Sequence, residues 1–467
     1  MQISKPLLSC LLAGIIVTGL FSCRKKDNID TSVGLQLAFS TDTVFFDTVF
    51  ATVGSITQRL IVYNENKNKV SISSIQLSGG EASNYRLNVN GTPATSISNV
   101  EIPGGDSIYV FVRVTVDPMN ASTPFVVADS VQFLINGTSQ QVKLVAWGRD
   151  AIFYRKANLE GNQIWDSTRS HVIYESLRID TNSSLTILAG AKVYFHMNSN
   201  MAVSHMATLR IEGTLSHPVR FQGDRMDPYY KDLPGQWEGI YLEKGSRDHE
   251  FNYAYIKNGA FGLALDSMGS PGKPMLTLRN SIIQNMTSYG IYGYGTSIVG
   301  ENCVIGDCGR GCLSAIYGGE YDFSYLTVGN YWSSSVRQAA SVYLSNYSYD
   351  TLGNKITFPL KKALFTNVII YGTNEDEIEL DSVPEAAFNC IFDHALLRTS
   401  LKTTYVARYI DCMINKDPEF VDEYKLNYAI DSISPAIKMG KNIAIPYDIR
   451  GKERGSSPAL GAYEYAK

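Results

Sequence analysis

The apolar and polar positions of this chain follow two patterns, one up to about residue 150 and another from about residue 180. Between residues 35 and 150, short runs of alternating apolar and polar residues recur roughly every ten residues, with turn signals between them. Such alternation is typical of strands that bury one face. Asn90-Gly91 and Asn136-Gly137 favour tight hairpins. The pattern therefore predicts a β-sandwich over residues 35–150.

Beyond residue 180, a short motif of aliphatic residues followed by a polar or glycine turn recurs at intervals of about 22 residues. One interval is about twice as long, which fits either one coil with an insertion or two coils, one of them weak. A β period of this length, with no helical run between copies, predicts an all-β solenoid of the parallel β-helix type, with coils stacked ~4.8 Å apart. We place this solenoid over residues 170–420. Since a solenoid has open ends, the tail 421–467 is expected to cap one of them.

The copies of the motif end at residues that tolerate a left-handed backbone better than others do. We expect that conformation at Asn258, Asn285, Asp307, Asp393 and Asn415. Cys390 and Cys412 occupy the same motif position in successive copies, so stacking would bring their Cα atoms to within disulfide range. A disulfide and two stacked buried thiols are both left open by this spacing.

The first 22 residues predict a signal peptide, with Lys5 followed by an apolar run that is too short to span a membrane comfortably. The run ends at Ser22-Cys23, which resembles the bacterial lipobox. The resemblance implies cleavage before Cys23 and attachment of a lipid to its sulfur, with residues 23–34 as a polar tether. An ordinary secretory signal with an incidental cysteine is the alternative.

The tether begins with Arg24, Lys25, Lys26 and Asp27, and is similar to the tethers of Bacteroidetes lipoproteins. The segments 234–241, 448–451 and 460–464 resemble pieces of the right-handed parallel β-helix proteins of the same phylum. This resemblance covers most of residues 170–467 and implies a pectate-lyase-like solenoid on an outer-membrane lipoprotein at the cell surface, without implying a reaction. Residues 35–150 resemble the immunoglobulin-like modules that precede larger domains in bacterial surface proteins, although they carry no cysteine pair.

Composition excludes several classes of protein. The chain of 467 residues is 44% hydrophobic and 18% charged, which excludes a disordered protein. Its formal net charge of −4 argues against a nucleic-acid partner. The 6 histidines show no metal-ligand spacing, and the 7 cysteines form no CxxC pair, so we expect neither a metal site nor a cofactor. The expected partners are the membrane, through the lipid anchor, and a polysaccharide or another surface macromolecule.

Tyrosine is over-used, with 29 copies, and aromatic rings pack well on the apolar faces of sugars. Three places combine aromatic and polar side chains: the loop at 224–237, a crowd of tyrosines between Tyr229 and Tyr331, and the start of a loop predicted over 330–365. The candidate ligand-binding residues are Asp224, Arg225, Asp227, Tyr229, Tyr230, Trp237, Tyr292, Tyr294, Tyr331 and Trp332. Aromatic stacks inside a solenoid would explain the same residues structurally.

The sequence favours binding over catalysis. The Arg-x-Pro-x-x-Arg motif of pectate lyases and the motifs of polygalacturonases are absent. Asp307 and Asp393 lie several coils apart in the predicted solenoid, too far to form the carboxylate pair of a glycosidase. The leading hypothesis is a surface lipoprotein whose solenoid presents an elongated face to a glycan or another macromolecule, with no catalytic residue assigned. A polysaccharide lyase or glycoside hydrolase of an unrecognised subfamily is the alternative, and a structural envelope component is the third.

Overall fold

The structure is a computed structural model that describes residues 28–50, 55–116, 125–226 and 229–465. The predicted signal peptide, Cys23 and Asp227 lie outside the described residues. The chain divides into two compact units between Arg149 and Asp150. No helix in the described ranges combines the length and the apolar character needed to cross a membrane.

The first unit is a β-sandwich of two five-stranded sheets, with strand orders β1-β3-β8-β5-β6 and β2-β10-β9-β4-β7. The strands are β1 Ala38–Phe39, β2 Thr43–Phe50, β3 Gln58–Tyr63, β4 Val70–Leu77, β5 Tyr85–Val89, β6 Thr92–Ala94, β7 Ser96–Ile102, β8 Ser107–Val114, β9 Phe125–Ile135 and β10 Thr138–Arg149. Asn136 and Gly137 both have positive φ and join β9 to β10, as the Asn-Gly signal predicts. The inward residues of both sheets form one core that is separate from that of the second unit.

The second unit is almost entirely β-structure, apart from a 3-10 turn at Glu423–Lys425. Its strands are β11 Ala151–Leu159, β12 Asn162–Trp165, β13 Ser170–Ile179, β14 Ser184–Leu188, β15 Lys192–Phe195, β16 Asn200–Val203, β17 Thr208–Glu212, β18 Val219–Gly223, β19 Gly239–Leu242, β20 His249–Asn252, β21 Ala254–Lys257, β22 Phe261–Asp266, β23 Leu276–Arg279, β24 Ile282–Met286, β25 Tyr289–Tyr294, β26 Ser297–Glu301, β27 Val304–Cys308, β28 Gly311–Ile316, β29 Gly319–Ser324, β30 Thr327–Asn330, β31 Val342–Ser345, β32 Tyr347–Tyr349, β33 Lys355–Thr357, β34 Leu360–Gly372, β35 Ile378–Asp381, β36 Phe388–Leu397, β37 Tyr409–Ile410, β38 Met413–Ile414, β39 Phe420–Asp422 and β40 Asn427–Ile430.

Twenty-six of these strands, β11–β31 and β34–β38, form one sheet in which each strand typically pairs in parallel with the strand three places further along. Three ladders result. Face 1 contains β15, β18, β21, β24, β27, β30, the second halves of β34 and β36, and β38. Face 2 contains β16, β19, β22, β25, β28, β31 and β35. Face 3 contains β14, β17, β20, β23, β26, β29, the first halves of β34 and β36, and β37. The predicted fold class, a parallel β-helix after a β-sandwich, is confirmed.

The solenoid begins earlier than the repeat predicts, since β11 already pairs with β13 from Ala151 onward. A first coil has a neighbour on one side only, so its residues keep less of the repeat. Inside the solenoid, equivalent residues stack on one another. Phe323, Phe365, Phe392 and Tyr409 form such a column, with ring centroids 5.8, 5.1 and 5.7 Å apart. Part of the aromatic excess is therefore structural.

Two corners of the solenoid carry columns of left-handed residues. Asn258, Asn285 and Asp307 have φ values of 67°, 62° and 45°, as their place in the motif predicts. Asn285 donates from Nδ2 to Oδ1 of Asn258 over 2.8 Å, so the side chains bond along the column. The prediction is wrong for Asp393, because the copy that contains it lies on face 3 and the left-handed residue there is His394, with φ 55°.

The same shift between faces corrects the predicted stacking of the two cysteines. Cys390 pairs in register with Ala363 on face 3, whereas Cys412 precedes Met413, which pairs with Leu396 on face 1. The equal spacing of the two motif copies therefore does not correspond to equal positions in the coil. Both thiols are free.

The C-terminal tail was predicted to cap one end of the solenoid. In the structure it packs along the outside of face 1 instead. Tyr428 is fully buried, and a Cβ added at Gly306 or Gly329 would collide with its ring. Tail residues share a second hydrophobic cluster with Val304 and Ile369 of face 1. Face 1 is thus apolar on both of its sides, which is why the tail finds its binding surface there rather than at an end.

Polar contacts fix the position of the tail along face 1. Asn302 donates from Nδ2 to the carbonyl oxygen of Tyr447 over 2.8 Å, and the amide of Ala462 donates to Oγ1 of Thr327 over 2.8 Å. Two further contacts continue the series: Asn367 donates to the carbonyl oxygen of Lys441 over 2.7 Å, and Nζ of Lys441 lies 2.9 Å from Oδ2 of Asp393. The tail therefore bonds to several successive coils.

The long interval in the repeat is one coil with insertions, because Val328 pairs directly with Ile370. The loop predicted over 330–365 re-enters the solenoid, as β31 pairs with β28 on face 2. The first insertion lies between β30 and β31. A buried ion pair holds it in place, since the guanidinium of Arg337 bonds both carboxylate oxygens of Glu377 at 2.6 and 2.8 Å.

Candidate functional site

A strip of aromatic side chains crosses face 2. We define the face-2 aromatic strip as Tyr241, Phe261, Tyr289, Tyr292, Tyr294, Tyr317 and Phe358. Ring-to-ring contacts run along it without interruption, with centroids 4.5 to 6.2 Å apart. Each of these side chains is partly exposed, Tyr294 most of all at 38%. The candidate residues Tyr292 and Tyr294 lie at the centre of the strip.

The strip follows from the alternation of the strands. In β25, Ile291 faces the core, and its neighbour Tyr292 therefore faces outward. Tyr292 pairs in register with Ala264 before it and with Ser314 after it, so its ring rises between two small side chains. The ring of Tyr292 packs instead against Tyr289 and Tyr294, with centroids 4.5 and 4.8 Å away.

The hydroxyl of Tyr292 remains protonated at neutral pH. Burial raises the pKa of Tyr292 to about 12, with the neighbouring tyrosines adding to the effect. At the far end of the face, Tyr343 and Tyr347 each donate to the carboxylate of Asp381, both over 2.9 Å. The face thus combines apolar ring surfaces with hydroxyl donors and carboxylate acceptors.

The loop at 224–237 does not join the strip. Asp224 forms a hydrogen bond with Nδ1 of His196 over 2.8 Å, which raises the pKa of the histidine. The guanidinium of Arg225 lies over the ring of Tyr230, 3.1 Å from its centroid, and Tyr229 is largely exposed. These residues have contacts of their own, away from the tyrosines of face 2.

Trp237 is a core residue rather than a ligand-binding one. It is 1% exposed and stacks on Phe195 with ring centroids 4.0 Å apart. Its indole nitrogen donates to the carbonyl oxygen of Lys257 over 3.0 Å. The prediction failed because the segment 234–241 enters the solenoid at Trp237, before β19 begins.

Tyr331 and Trp332 line a cleft of about 510 Å³ between the loop residues 232–234 and the tail residues 423–426. Trp332 is mostly buried and donates to Oγ of Ser335 over 2.9 Å. Tyr331 stacks on Tyr428 of the tail, with centroids 6.3 Å apart. Two of the three predicted places, the 224–237 loop and the start of the 330–365 loop, therefore meet at this cleft.

Asp307 is the buried acid of this cleft. It accepts hydrogen bonds from the hydroxyl of Tyr428 over 2.7 Å and from the amide of Tyr331 over 2.9 Å. Desolvation outweighs these bonds and raises the pKa of the carboxyl to about 6. In register, Asp307 lies between Asn285 and Asn330, so a carboxyl occupies an asparagine column.

Protonation of Asp307 is expected to add to the stability of the solenoid as the pH falls from 7 to about 4, whereas the buried His171 and His249, whose pKa values burial lowers to about 4 and about 3, act in the opposite direction. Over this interval the folded state binds a proton at Asp307 and the unfolded state does not, because the pKa of the carboxyl is about 6 when folded and 3.8 for an unperturbed aspartate. The shift corresponds to about 3 kcal/mol. Asp307→Asn preserves the shape of the side chain and is expected to remove the Asp307 contribution, measured as the difference in pH dependence between the native protein and the variant in denaturant unfolding between pH 4 and 8.

The exposed substitution Asp232→Asn is the control for this prediction and is expected to leave the pH dependence of the native protein in place. An unchanged pH dependence in Asp307→Asn would show that another group carries it.

No group of three histidine, cysteine, aspartate or glutamate side chains in the described ranges is arranged to hold a metal ion. Sequence reasoning did not select Tyr241, Phe261, Tyr317, Phe358 or Tyr343 as site residues. The signal that would have found Tyr241 and Tyr343 is their equal separation from Tyr292 along the chain, on either side of it. That separation becomes meaningful only when the register of the coils is known.

No family model matches the sequence, and no curated protein matches it. Among solved structures, the chain is similar to the catalytic unit of a thermostable GH87 α-1,3-glucanase from Streptomyces thermodiastaticus strain HF3-3, at 10% identity over 72% of this chain and 64% of that chain, with a TM-score of 0.22. It is also similar to a family 123 glycoside hydrolase from Clostridium perfringens, at 8% identity over 28% of this chain and 30% of that chain, with a TM-score of 0.19. The chain thus spans less than two thirds of either chain, and the fold assignment rests on the strand pairing itself.

Proposed function

We propose that this protein is a cell-surface lipoprotein that binds an extended glycan along face 2 and does not cleave it. The observation that carries the proposal is the uninterrupted strip of partly exposed aromatic rings from Tyr241 to Phe358. A contiguous apolar patch on a protein surface marks an interaction site.

The chemistry of the strip suits a sugar chain. Aromatic faces pack on the apolar faces of pyranose rings, while phenol hydroxyls meet sugar hydroxyls. The rings are supported by the solenoid backbone, so little conformational entropy is lost when a ligand binds. A rod of parallel strands also presents these rings in a line, which a chain-like ligand can follow.

The location is supported by the sequence alone. Residues 1–22 have the composition of a signal peptide, and Ser22-Cys23 resembles a lipobox. A lipid on Cys23 would tether the sandwich and the solenoid to the outer membrane through residues 24–34. Metabolic labelling with a fatty acid tests this part of the proposal, and Cys23→Ala is expected to lose the label.

Tyr292→Ala is expected to weaken binding to the preferred polysaccharide at least tenfold, because it removes the central ring of the strip. Tenfold corresponds to about 1.4 kcal/mol, within the range for an aromatic hot spot. The measurement is affinity electrophoresis or calorimetry on purified residues 24–467. Tyr424→Ala is the matched control, since Tyr424 is 83% exposed on the tail.

Loss of binding in Tyr229→Ala, together with normal binding in Tyr292→Ala, would move the site to the 224–237 loop and overturn the proposal for face 2.

A polysaccharide hydrolase is the second candidate, and the buried carboxyl of Asp307 is the observation that favours it. Carboxyls with a raised pKa in a cleft are candidates for a general acid. An assay for new reducing ends and unsaturated uronates separates the two functions. Product that appears with the native protein and disappears in Asp307→Asn would overturn the non-catalytic proposal.

A further inference from the structure

One row of outward side chains on face 2 alternates between large and small residues from coil to coil. The register runs from Tyr241 to Ala264, Tyr292, Ser314 and Tyr343. Equivalent residues of stacked coils point in the same direction, so the three tyrosines stand in line along the solenoid. Each is separated from the next by one coil that carries a small side chain.

The alternation sets the distance between successive tyrosines of the row. Coils stack at the strand spacing of ~4.8 Å, so successive tyrosines of the row stand roughly 10 Å apart. This is about the length of one disaccharide unit in an extended β-linked chain, in which alternate sugars turn the same face in the same direction. A chain of this kind can stack every second sugar on a tyrosine while the sugars between them span the intervening coils, which carry the partly exposed Ala264 and the buried Ser314.

The charge of the face restricts the ligand further. The face-2 strands from β19 to β35 contain no lysine or arginine, whereas they carry the carboxylates of Asp266, Glu379 and Asp381. Arg178 stands at the N-terminal end of the same row, where its guanidinium lies 2.5 Å from the carboxylate of Glu243. Arg310 is exposed at the corner before β28. From β19 to β35 the strands of this face therefore carry carboxylates and no cation.

We infer that the ligand of face 2 is an extended β-linked glycan of neutral or amino sugars, and that polymers of uronic acids are rejected. The inference rests on the proposed function and adds the class of ligand to it. A uronate polymer would place a carboxylate on nearly every sugar against Asp266 and Asp381, and like charges at such distances repel. An amino-sugar polymer would place ammonium groups beside the same carboxylates.

The experiment compares three soluble probes on residues 24–467: chitosan oligosaccharides, neutral β-1,4-linked oligosaccharides and polygalacturonate. We expect the chitosan or the neutral probe to bind, polygalacturonate to be at least tenfold weaker, and longer chains that reach from Tyr241 to Tyr343 to bind more tightly than the disaccharide. Added salt should weaken chitosan binding and leave neutral binding unchanged.

The double variant Asp266→Asn with Asp381→Asn is expected to reduce the difference in affinity between polygalacturonate and the neutral probe. Glu250→Lys on face 3 is the control and should leave this difference in affinity unchanged. Tight binding of polygalacturonate that Tyr292→Ala abolishes would overturn the ligand class while supporting the site. Failure of every probe to bind would count against the proposed function itself.

Discussion

Glu377→Leu is expected to destabilise the solenoid by about 3–5 kcal/mol, the cost of leaving one partner of a buried ion pair without the other. The side chains of Arg337 and Glu377 are 1% and 0% exposed. Besides its two bonds to Arg337, the carboxylate accepts the amide of Asn374 over 2.8 Å. Removal of Glu377 therefore leaves a buried guanidinium and an unpaired amide at the point where the first insertion returns to the solenoid.

Urea unfolding followed by tryptophan fluorescence measures this effect, with Lys355→Ala as the control. Lys355 forms an ion pair with Glu385 that is largely exposed, and exposed pairs contribute about 0–1 kcal/mol. The double variant Arg337→Met with Glu377→Leu is expected to recover much of the loss, because no uncompensated charge remains. A loss in the double variant equal to that in Glu377→Leu would show that hydrogen bonds, and not the charge, carry the effect.

Tyr428→Ala is expected to cost about 3–5 kcal/mol and to loosen the tail along face 1. The ring fills the space above Gly306 and Gly329, and its hydroxyl bonds Asp307. The substitution therefore creates a cavity in the second hydrophobic cluster and leaves a buried carboxyl with one bond fewer.

Hydrogen exchange and limited proteolysis measure the loosening separately from global stability. We expect faster exchange in β39 and β40 and new cleavage between residues 417 and 465. Tyr424→Ala is the control, and substitutions at exposed sites usually change stability by less than about 0.5 kcal/mol. Unchanged protection of β40 in Tyr428→Ala would mean that polar contacts alone hold the tail.

The solenoid was predictable because the period of its interior is a local property. Each copy of the motif places an aliphatic residue such as Ile283 or Ile305 in the core, and the Asn or Asp that follows tolerates the left-handed corner. The exterior was less predictable, because the tail binds face 1 through contacts between residues that are distant in sequence. Consecutive buried residues in Val304-Ile305 did carry a signal, since a strand that is apolar on both sides must be covered on both sides.

The candidate site was predicted in part. Tyr292 and Tyr294 emerged from local crowding of tyrosine, and both lie in the strip. Tyr241 and Tyr343 were missed because insertions of unequal length separate the coils, and the register that aligns them exists only after pairing. Trp237 was misassigned because the sequence does not show whether an aromatic residue next to a loop faces the solvent or the core.

The lateral position of the tail has a consequence for how the solenoid can change in evolution. Rods of stacked coils lengthen and shorten readily by duplication or loss of a unit. Here the tail bonds to Asn302, Thr327, Asn367 and Asp393, which lie in successive coils. These contacts can form together only when the number of coils between them is fixed. If a coil were gained or lost within that interval, the tail residues would no longer lie opposite their partners in the coils beyond it. Related chains should therefore differ in coil number mainly towards the N-terminal end of the rod.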